Sequence, residues 1–279
     1  MSIKNHIYPK IAVCLVCILI LSPIFLVIIS SFLSADDLLL LYGKSNRYTI
    51  RFTDIMHFKF TAGNFLSLLS EQHHFIQALI NSTIICLTIV TGNTCLSICT
   101  AYVFSKINFK GRDTFYYILI LIMLMPVLVK LVPNFIILRK FGLTDRLTSV
   151  IIPGIFNPFG IFILRQYFNY VPDEYIHSAR LDGATYGSSL FHVAAPLSKS
   201  GIIAVLIFNI IDSWGMIEQP LVFLNDEAKY PLSLFLFSIG ESRIGAGFAA
   251  SVLFMVPVLA VFFLGKSHML KGMYISGLR

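Results

Sequence analysis

Residues 11–33 have the sequence IAVCLVCILILSPIFLVIISSFL, an apolar run without a charged residue. A membrane-spanning helix needs about 20 mostly apolar residues, because the hydrocarbon core of a bilayer is about 30 Å thick. This run is too long for the apolar core of a typical signal peptide, and no small-residue cleavage pattern follows it closely. The run therefore predicts a retained transmembrane helix, Ile11–Leu33.

Five further apolar blocks follow, three of them without a charged residue. They lie within Phe75–Ser105 and at Thr114–Leu138, Leu147–Leu164, Gly201–Phe223 and Ile244–Gly265. Only 13% of the 279 residues are charged, whereas a soluble domain carries about 25%. Because backbone polar groups in lipid must be satisfied internally, the spans should be helices. We predict an all-α, polytopic membrane protein with six transmembrane helices over residues 11–265.

The ionisable residues and cysteines narrow the function further. The net charge is +7, but no basic run is interleaved with aromatic residues, so nucleic acid is not an expected partner. Anionic lipid headgroups are the simpler partner for this charge. The cysteines lie in apolar stretches and the histidines are dispersed, so no metal site and no catalytic residue are predicted.

Two short stretches, Gly43-Lys44-Ser45 and Gly265-Lys266-Ser267, look like the end of a phosphate-binding P-loop. That motif also needs a glycine five residues before its second glycine. Those positions hold Leu38 and Ala260. The chain itself is therefore not expected to bind ATP.

Six spans put both termini on the same side of the membrane. They leave an outer loop at residues 34–74 and an inner loop at residues 165–200. Lys and Arg are divided almost evenly between the two sides, so the positive-inside rule does not orient the chain. The orientation depends instead on the inner loop.

Residues 171–200 of this loop have the sequence VPDEYIHSARLDGATYGSSLFHVAAPLSKS. Pro172 suits a first helical turn, and Asp173 and Glu174 are favourable at a helix N-terminus. Gly183 can adopt the left-handed conformation that ends a helix at Asp182. A second short helix is predicted from about Thr185 to Ala194, with Pro196 stopping it. The pattern predicts two short helices at an angle to each other.

The order Ala179-Arg180-Leu181-Asp182-Gly183-Ala184, followed by Ala195-Pro196-Leu197, resembles the EAA loop of ABC importer permeases. In that loop a Gly follows four residues after the second Ala of a Glu-Ala-Ala element. Other stretches that resemble the carbohydrate, maltose-type permeases are Ala101-Tyr102-Val103-Phe104, Phe109-Lys110-Gly111-Arg112, Pro126, Phe141-Gly142-Leu143, Gly160-Ile161-Phe162, Arg165-Gln166, Ser213-Trp214, Pro220-Leu221 and Lys271-Gly272. The resemblance covers roughly Asn64 to the C-terminus.

The resemblance implies that the inner loop is a coupling helix that fits a cleft of a separate ATPase. The residues expected to make this contact are His177, Ser178, Ala179, Asp182, Gly183 and Ala184. His177 stands where the family usually has Glu, which puts the usual ion pair with the ATPase in doubt. Ser178 replaces the first Ala of the element.

The same resemblance implies the partners and the location. The partners are a second permease subunit, an ATPase dimer that holds ATP and magnesium, and an extracytoplasmic solute-binding protein. The chain would lie in the plasma membrane, with residues 1–10 and the tail 266–279 in the cytoplasm.

The fifth predicted span carries a polar series, Asn209, Asp212, Trp214 and Glu218. A charge at the bilayer centre costs at least about 2.5–3.5 kcal/mol, so these residues should face a water-filled path or another helix. One interpretation is a substrate pathway, in which carboxylates accept sugar hydroxyls and Trp214 stacks on a pyranose ring. A gate or an interhelical hydrogen bond is the alternative. Gly215 replaces the Asn that usually follows this Trp.

Two other polar residues fall within predicted spans. Asn157, between Pro153 and Pro158, is expected to act as a hinge or to repair hydrogen bonding at a kink, and not to bind a ligand. Lys130 is expected to reach towards one interface.

The sequence therefore predicts a permease subunit that imports a sugar or oligosaccharide, driven by ATP hydrolysis on a partner chain. Three alternatives stay open. They are an exporter of the same architecture, a secondary transporter that uses an ion gradient through Asp212 and Glu218, and a membrane anchor or sensor that moves nothing.

Overall fold

The computed structural model describes residues 4–42, 58–71, 73–239 and 243–276, with side chains within 10–42, 58–70, 74–239 and 243–266. Gly43-Lys44-Ser45 and much of the loop predicted over residues 34–74 lie outside the described residues, as do residues 1–3 and 277–279. The described chain is helical, apart from connecting segments and one isolated bridge between Leu33 and Phe60. The predicted all-α class is confirmed.

In chain order the helices are α1 (Lys4–Ser31), α2 (Ala35–Tyr42), α3 (Gly63–Glu71), α4 (His73–Lys106), α5 (Arg112–Leu124), α6 (Val127–Lys140), α7 (Leu147–Ile155), α8 (Phe159–Asn169), α9 (Asp173–Leu181), α10 (Tyr186–Ser189), α11 (Ala195–Leu197), α12 (Lys199–Trp214), α13 (Glu218–Phe223), α14 (Leu232–Ser238) and α15 (Ile244–Ser276). A π-helical turn covers Leu190–Ala194, and a 3-10 turn covers Glu227–Lys229.

Among the described residues, four helical stretches are long and apolar enough to cross a membrane. They are Lys10–Ser31, His74–Lys106, Leu147–Asn169 and Ile244–Lys266. Two helix pairs meet the same criterion together although each pair is bent, α5 with α6 by 103° and Tyr186–Leu197 with α12 by 83°. The chain thus has up to six spans if each bent pair counts as one, in agreement with the predicted polytopic architecture.

The predicted third and fifth spans are not continuous helices. The third breaks at Pro126, which precedes α6 and has no N–H to continue the ladder of α5. The predicted span Gly201–Phe223 is wrong in its continuity, because α12 ends at Trp214 and the chain is non-helical at residues 215–217. Gly215 caps the end of α12, and glycine is the least favourable helix residue after proline.

The chain divides into two compact units. The first combines Met1–Ile76 with Leu236–Val256, and the second combines Gln77–Phe235 with Pro257–Arg279. Within the first unit, the buried Asn64 side chain donates to the backbone oxygens of Ser31 at 2.9 Å and Leu33 at 2.8 Å. These bonds satisfy carbonyl groups at and just beyond the end of α1, where the helix itself provides no donor.

The first helix is also the one with the least protein around it. None of the most apolar part of Lys10–Ser31 is buried inside the described chain. Leu19 is 73% exposed and Ile20 is 63% exposed. In a bilayer these side chains are available to lipid.

Two apolar clusters hold the second unit together. One joins α4, α8, α9, α12 and the π-helical turn, through Ala101, Tyr102, Ile161, Leu164, Phe168, Ile176, Leu190, Ala194 and Val205. The other joins α4, α6, α7 and α13, through Ile85, Ile89, Leu131, Leu138, Val150, Ile151, Phe223 and Leu224. Helix α4 takes part in both clusters and is the central element of this unit.

Glycines allow the helices of this unit to approach closely. A Cβ atom at Gly154 would lie 2.5 Å from Ile89 Cδ1, and one at Gly160 would lie 2.5 Å from Ser97 Oγ. Small residues at helix interfaces permit this close packing in membranes, where van der Waals contact is a main force between helices.

An ionised clamp anchors the segment that follows α13. The Asp145 carboxylate accepts hydrogen bonds from Lys229 Nζ at 2.7 Å and from the backbone N–H groups of Asn225 at 3.0 Å and Asp226 at 3.2 Å. Its own N–H donates to the backbone oxygen of Phe223 at 2.9 Å. The Lys229 ammonium, followed by the two N–H groups, lowers the pKa of Asp145 to about 2. We call these contacts the Asp145 clamp.

The Gly160 contact gives a stability prediction. Gly160→Leu forces a side chain against Ser97, Asn93 and Val205, and overpacking of this kind costs about 1–3 kcal/mol of unfolding free energy. Gly187→Ala is the matched control, because a Cβ there would meet only Thr185 Oγ1 at 4.0 Å. Thermal unfolding of the purified protein in detergent should show a lower midpoint for Gly160→Leu alone, and equal midpoints for both variants would contradict the packing.

The Asp145 clamp predicts how the stability of the folded protein depends on pH. An unfolded Asp has a pKa of about 3.9, and the folded pKa is lower, so the stabilisation is complete above about pH 4 and is lost as the pH falls towards 2. Asp145→Asn should therefore lower the unfolding midpoint at pH 7, and its difference from the wild type should narrow as the pH falls towards 2.

Asp36→Asn, at an exposed carboxylate, controls for loss of charge. A difference between Asp145→Asn and the wild type that stays the same at pH 2 and pH 7 would rule out the ionised clamp.

Candidate functional site

The inner loop folds into two short helical segments joined at Gly183. Helix α9 follows Pro172 and has Asp173 and Glu174 in its first turn. Gly183 has φ +89°, the left-handed conformation predicted from the sequence. The N–H of Ala184 donates to the oxygen of Ala179 at 2.9 Å, which closes the end of the helix. We call residues 173–197 the elbow.

The second half of the elbow starts at Thr185, whose hydroxyl accepts from the N–H of Ser188 at 3.2 Å. Helix α10, the π-helical turn and α11 follow without interruption to Leu197. The prediction that Pro196 stops this segment is off by one residue. Pro196 is the second-last residue of this continuous segment, and because it has no N–H to extend the hydrogen-bond ladder, the segment ends one residue later, at Leu197.

The elbow presents most of the predicted contact residues on its surface. His177, Ser178, Asp182 and Gly183 are exposed, and Ala179 and Ala184 are half-buried. Ile176, on the opposite face of α9, is buried in the apolar cluster. The six predicted residues therefore lie together around the Gly183 turn, on an accessible surface.

The sequence analysis missed the most exposed apolar side chain of the elbow. Leu181 is 89% exposed, between Arg180 and Asp182 at the end of α9. Tyr175 and Tyr186 are also exposed, at 57% and 42%. A leucine between two charged residues, two positions before a helix-ending glycine, was the available signal.

A cation and an aromatic ring join the two halves of the elbow. Arg180 Nη1 donates to the Tyr186 hydroxyl at 2.8 Å, and the Arg180 Cζ atom lies 4.1 Å from the centre of the Tyr186 ring. This pair bridges the turn at Gly183, so the angle between α9 and α10 is held by side chains as well as by the backbone.

Two largely buried basic side chains attach α9 and α8 to the helices around them. Lys106, at the end of α4, has a side chain only 4% exposed and pairs with Asp173 at 2.6 Å. It also donates to the backbone oxygen of Val171. Arg165 of α8 donates to the oxygen of Phe104 at 3.2 Å and lies over the Tyr116 ring at 3.7 Å.

These ties connect the elbow to α4 and connect α8 to α4 and α5. The sequence analysis did not assign a role to either basic residue.

A cavity of about 570 Å³ lies among α4, α5, α6, α7, α12 and α13 of the second unit. Three of the four residues predicted for the substrate pathway line it, namely Asn209, Asp212 and Glu218. Lys130, Asn134 and Gln219 also line it. The sequence analysis expected Lys130 to reach towards an interface, whereas the structure brings it to the same cavity as Asp212.

Trp214 does not line the cavity. Its side chain is only 5% exposed, because the last turn of α12 directs it into the packed interior. In this structure the Trp214 ring packs against protein and not into the cavity, and its stacking on a sugar ring stays a prediction. Helical spacing of 3.6 residues per turn separates its direction from that of Asp212.

Asn209 fits both interpretations of the polar series, the substrate pathway and the interhelical hydrogen bond. It lines the cavity, yet its side chain donates to Asn93 Oδ1 at 2.9 Å and to Thr94 Oγ1 at 3.3 Å. Asn93 in turn donates to the backbone oxygens of Ile155 at 2.8 Å and Asn157 at 2.7 Å. The alternative of an interhelical hydrogen bond is thus correct for Asn209.

The same network satisfies the break between α7 and α8. Asn157 Oδ1 accepts from the N–H of Phe159 at 3.1 Å, the first residue of α8. Together with the bonds from Asn93, this supplies the backbone groups freed around Pro158. The expectation that Asn157 repairs a kink agrees with this geometry.

Comparisons with known proteins match the same part of the chain. The family described as binding-protein-dependent transport system inner membrane component matches residues 93–271. The arabinooligosaccharides transport system permease protein AraQ of Halalkalibacterium halodurans is 28% identical over 222 residues, which cover 78% of this chain and 80% of AraQ. The diacetylchitobiose uptake system permease protein NgcG of Streptomyces coelicolor is 27% identical over 252 residues, covering 88% and 80%.

A third relative is the sn-glycerol-3-phosphate transport system permease protein UgpE of Pectobacterium atrosepticum, 29% identical over 203 residues that cover 71% of this chain and 72% of UgpE. Among solved structures, a bacterial ABC transporter involved in the import of the acidic polysaccharide alginate superposes with a TM-score of 0.79. The match covers 96% of this chain and 98% of the other, at 21% sequence identity, and shows that the fold is shared.

The family match covers most of the second unit, including the whole elbow and every residue named above for the cavity wall. The resemblance to ABC importer permeases found in the sequence is thereby confirmed. The chain belongs to the family of binding-protein-dependent transport system inner membrane components, and is a multi-pass permease of an ABC transporter.

Proposed function

We propose that this chain is one of two permease subunits of an ATP-driven carbohydrate importer. The names of its relatives support the substrate class, since they describe transport of arabinooligosaccharides, uptake of diacetylchitobiose and transport of sn-glycerol-3-phosphate. The binding-protein-dependent family favours import over the exporter and the secondary transporter. It also disfavours an anchor or sensor that moves nothing.

The remaining partners are those that the family implies, and the lack of a complete P-loop in this sequence agrees with an ATPase on another chain. ATP and magnesium are held by a separate ATPase dimer, and this chain is the non-catalytic transmembrane subunit. A solute-binding protein delivers the substrate from outside. The elbow and both termini lie in the cytoplasm, with the second permease subunit completing the transmembrane path.

The observation that carries this proposal is the exposed surface of the elbow. An apolar side chain that is 89% exposed, Leu181, stands beside a turn at Gly183 where a side chain would meet nothing within 4 Å. Exposed apolar residues in a rim of polar ones are typical of protein interfaces. The surrounding His177, Ser178 and Asp182 supply that rim.

The side-chain contacts within the elbow and between the elbow and α4 allow it to transmit movement to the transmembrane helices. When the ATPase dimer closes, it moves the docked elbow as a rigid piece, because Arg180 and Tyr186 hold its two halves together. Lys106 transmits this movement from Asp173 to α4. The spans then switch between inward-facing and outward-facing states around breaks such as the one at Asn157.

The cavity forms this subunit's part of the substrate path. Asp212 and Glu218 line its wall with carboxylate oxygens, which accept hydrogen bonds from sugar hydroxyls. Asn209 contributes through its position in the wall while its amide holds α12 to α4. Trp214 lies outside the wall of this cavity.

An isosteric pair of substitutions tests the docking role. Both Asn and Asp tolerate the left-handed region better than most residues, so Gly183→Asn and Gly183→Asp differ mainly in charge. We expect Gly183→Asp to lose co-purification of the ATPase and the ATPase activity of the reconstituted complex. Gly183→Asn should retain a large part of both. Normal co-purification and activity of Gly183→Asp would overturn the docking role.

Leu181 tests the apolar part of the contact. Burying a leucine stabilises by about 1.5–3 kcal/mol, so Leu181→Ala should weaken the affinity for the isolated ATPase by about tenfold. Leu181→Met keeps the volume and should bind within about threefold of the wild type. The affinities can be measured by surface plasmon resonance on permease complexes in nanodiscs. Wild-type affinity in Leu181→Ala would contradict burial of this side chain.

A further inference from the structure

We infer that the cavity selects sugars by charge, accepting those with hydroxyl or ammonium groups and disfavouring those with carboxylate or phosphate groups. The inference rests on the proposed function, because it concerns the same path. Family membership leaves this property open, since one relative is named for sn-glycerol-3-phosphate and another for uncharged arabinooligosaccharides.

The cavity has the size and wall of a binding site. Its volume of about 570 Å³ falls within the range of about 300–1,000 Å³ that small-molecule sites occupy. Apolar side chains such as Ile89 and Leu131 form part of the wall, and a few polar groups converge on the same space. This mixture of apolar surface and few polar groups is typical of sites that orient a ligand.

The charges of the wall do not balance. Asp212 and Glu218 contribute two carboxylates, whereas Lys130 contributes one ammonium group. Lys130, Asp212 and Glu218 all line the same cavity. Clefts with low-dielectric walls focus such an imbalance, so a second anion entering the cavity meets an excess of negative charge.

The hydrogen-bonding groups point to the same ligand chemistry. Gln219 Oε1 is buried and has no hydrogen-bond partner among the described residues. A buried acceptor without a donor is costly, and a ligand donor can satisfy it. Sugar hydroxyls and ammonium groups donate hydrogen bonds, whereas carboxylates and phosphates at neutral pH only accept them.

Lys130 offsets part of the negative charge of Asp212 and Glu218, but the sum of these three charges stays negative. Its ammonium group partly neutralises Asp212 and Glu218, so the wall tolerates an uncharged sugar. Removal of Lys130 should weaken the binding of anionic sugars further relative to uncharged ones. Removal of both carboxylates should abolish this difference in binding. These opposite effects separate charge selection from a general loss of the site.

The test uses the permease pair with its ATPase in nanodiscs, without the binding protein, so that only the transmembrane site is probed. Saturation-transfer NMR titrations would compare three trimers of similar length, arabinotriose, a glucosamine trimer and trigalacturonate. We expect trigalacturonate to bind the wild type about tenfold or more weakly than arabinotriose. The glucosamine trimer should bind at least as well as arabinotriose.

Variants then assign the preference to the named residues. In Asp212→Asn/Glu218→Gln, the difference between trigalacturonate and arabinotriose should fall to about threefold or less. Lys130→Met should enlarge the difference, and Asp36→Asn, outside the cavity, should leave it unchanged. Co-purification of the ATPase with each variant shows that the complex is assembled.

Equal binding of trigalacturonate and arabinotriose to the wild type would overturn the inference and leave the importer proposal standing. An unchanged difference in Asp212→Asn/Glu218→Gln would also overturn it. Failure of all three trimers to bind would overturn the inference together with the carbohydrate part of the proposed function. The docking role would still be judged separately by the Gly183 variants.

Discussion

Backbone carbonyl groups freed by a broken helix have no water to bind in the middle of a bilayer, so protein groups must bind them. Asn93 meets this requirement at the break between α7 and α8, where its amide donates to the oxygens of Ile155 and Asn157. Its own oxygen accepts from Asn209. One side chain thereby links α4, α12 and the interrupted span, and it does so beside the cavity.

Much of the architecture was predictable because lipid imposes simple rules. Long apolar blocks indicated the spans, and the Gly183 turn was predicted from a residue that tolerates its conformation. The first half of the elbow followed from local signals as well, namely Pro172 and the acidic first turn of α9. Local chemistry determines these features, so one sequence suffices to find them.

The features that could not be predicted depend on the direction in which a side chain points and on its contacts with residues far away in the sequence. Trp214 and Asp212 are two residues apart, yet one is packed inside and the other lines the cavity. The position at which α12 ends and the packing around that end decide which of the two side chains faces the cavity. Lys106 follows one predicted span and Lys130 lies within another, yet neither local sequence shows which distant groups its side chain meets.

The first helix has a consequence for how the protein is made. Because the apolar part of Lys10–Ser31 meets almost no other described part of the chain, its stability in the bilayer does not wait for the later spans. It can enter the membrane as soon as it emerges from the ribosome, as an independent first stage of assembly. The helices of the second unit pack closely against one another at their glycines. They can associate once the first helix has anchored the chain in the membrane.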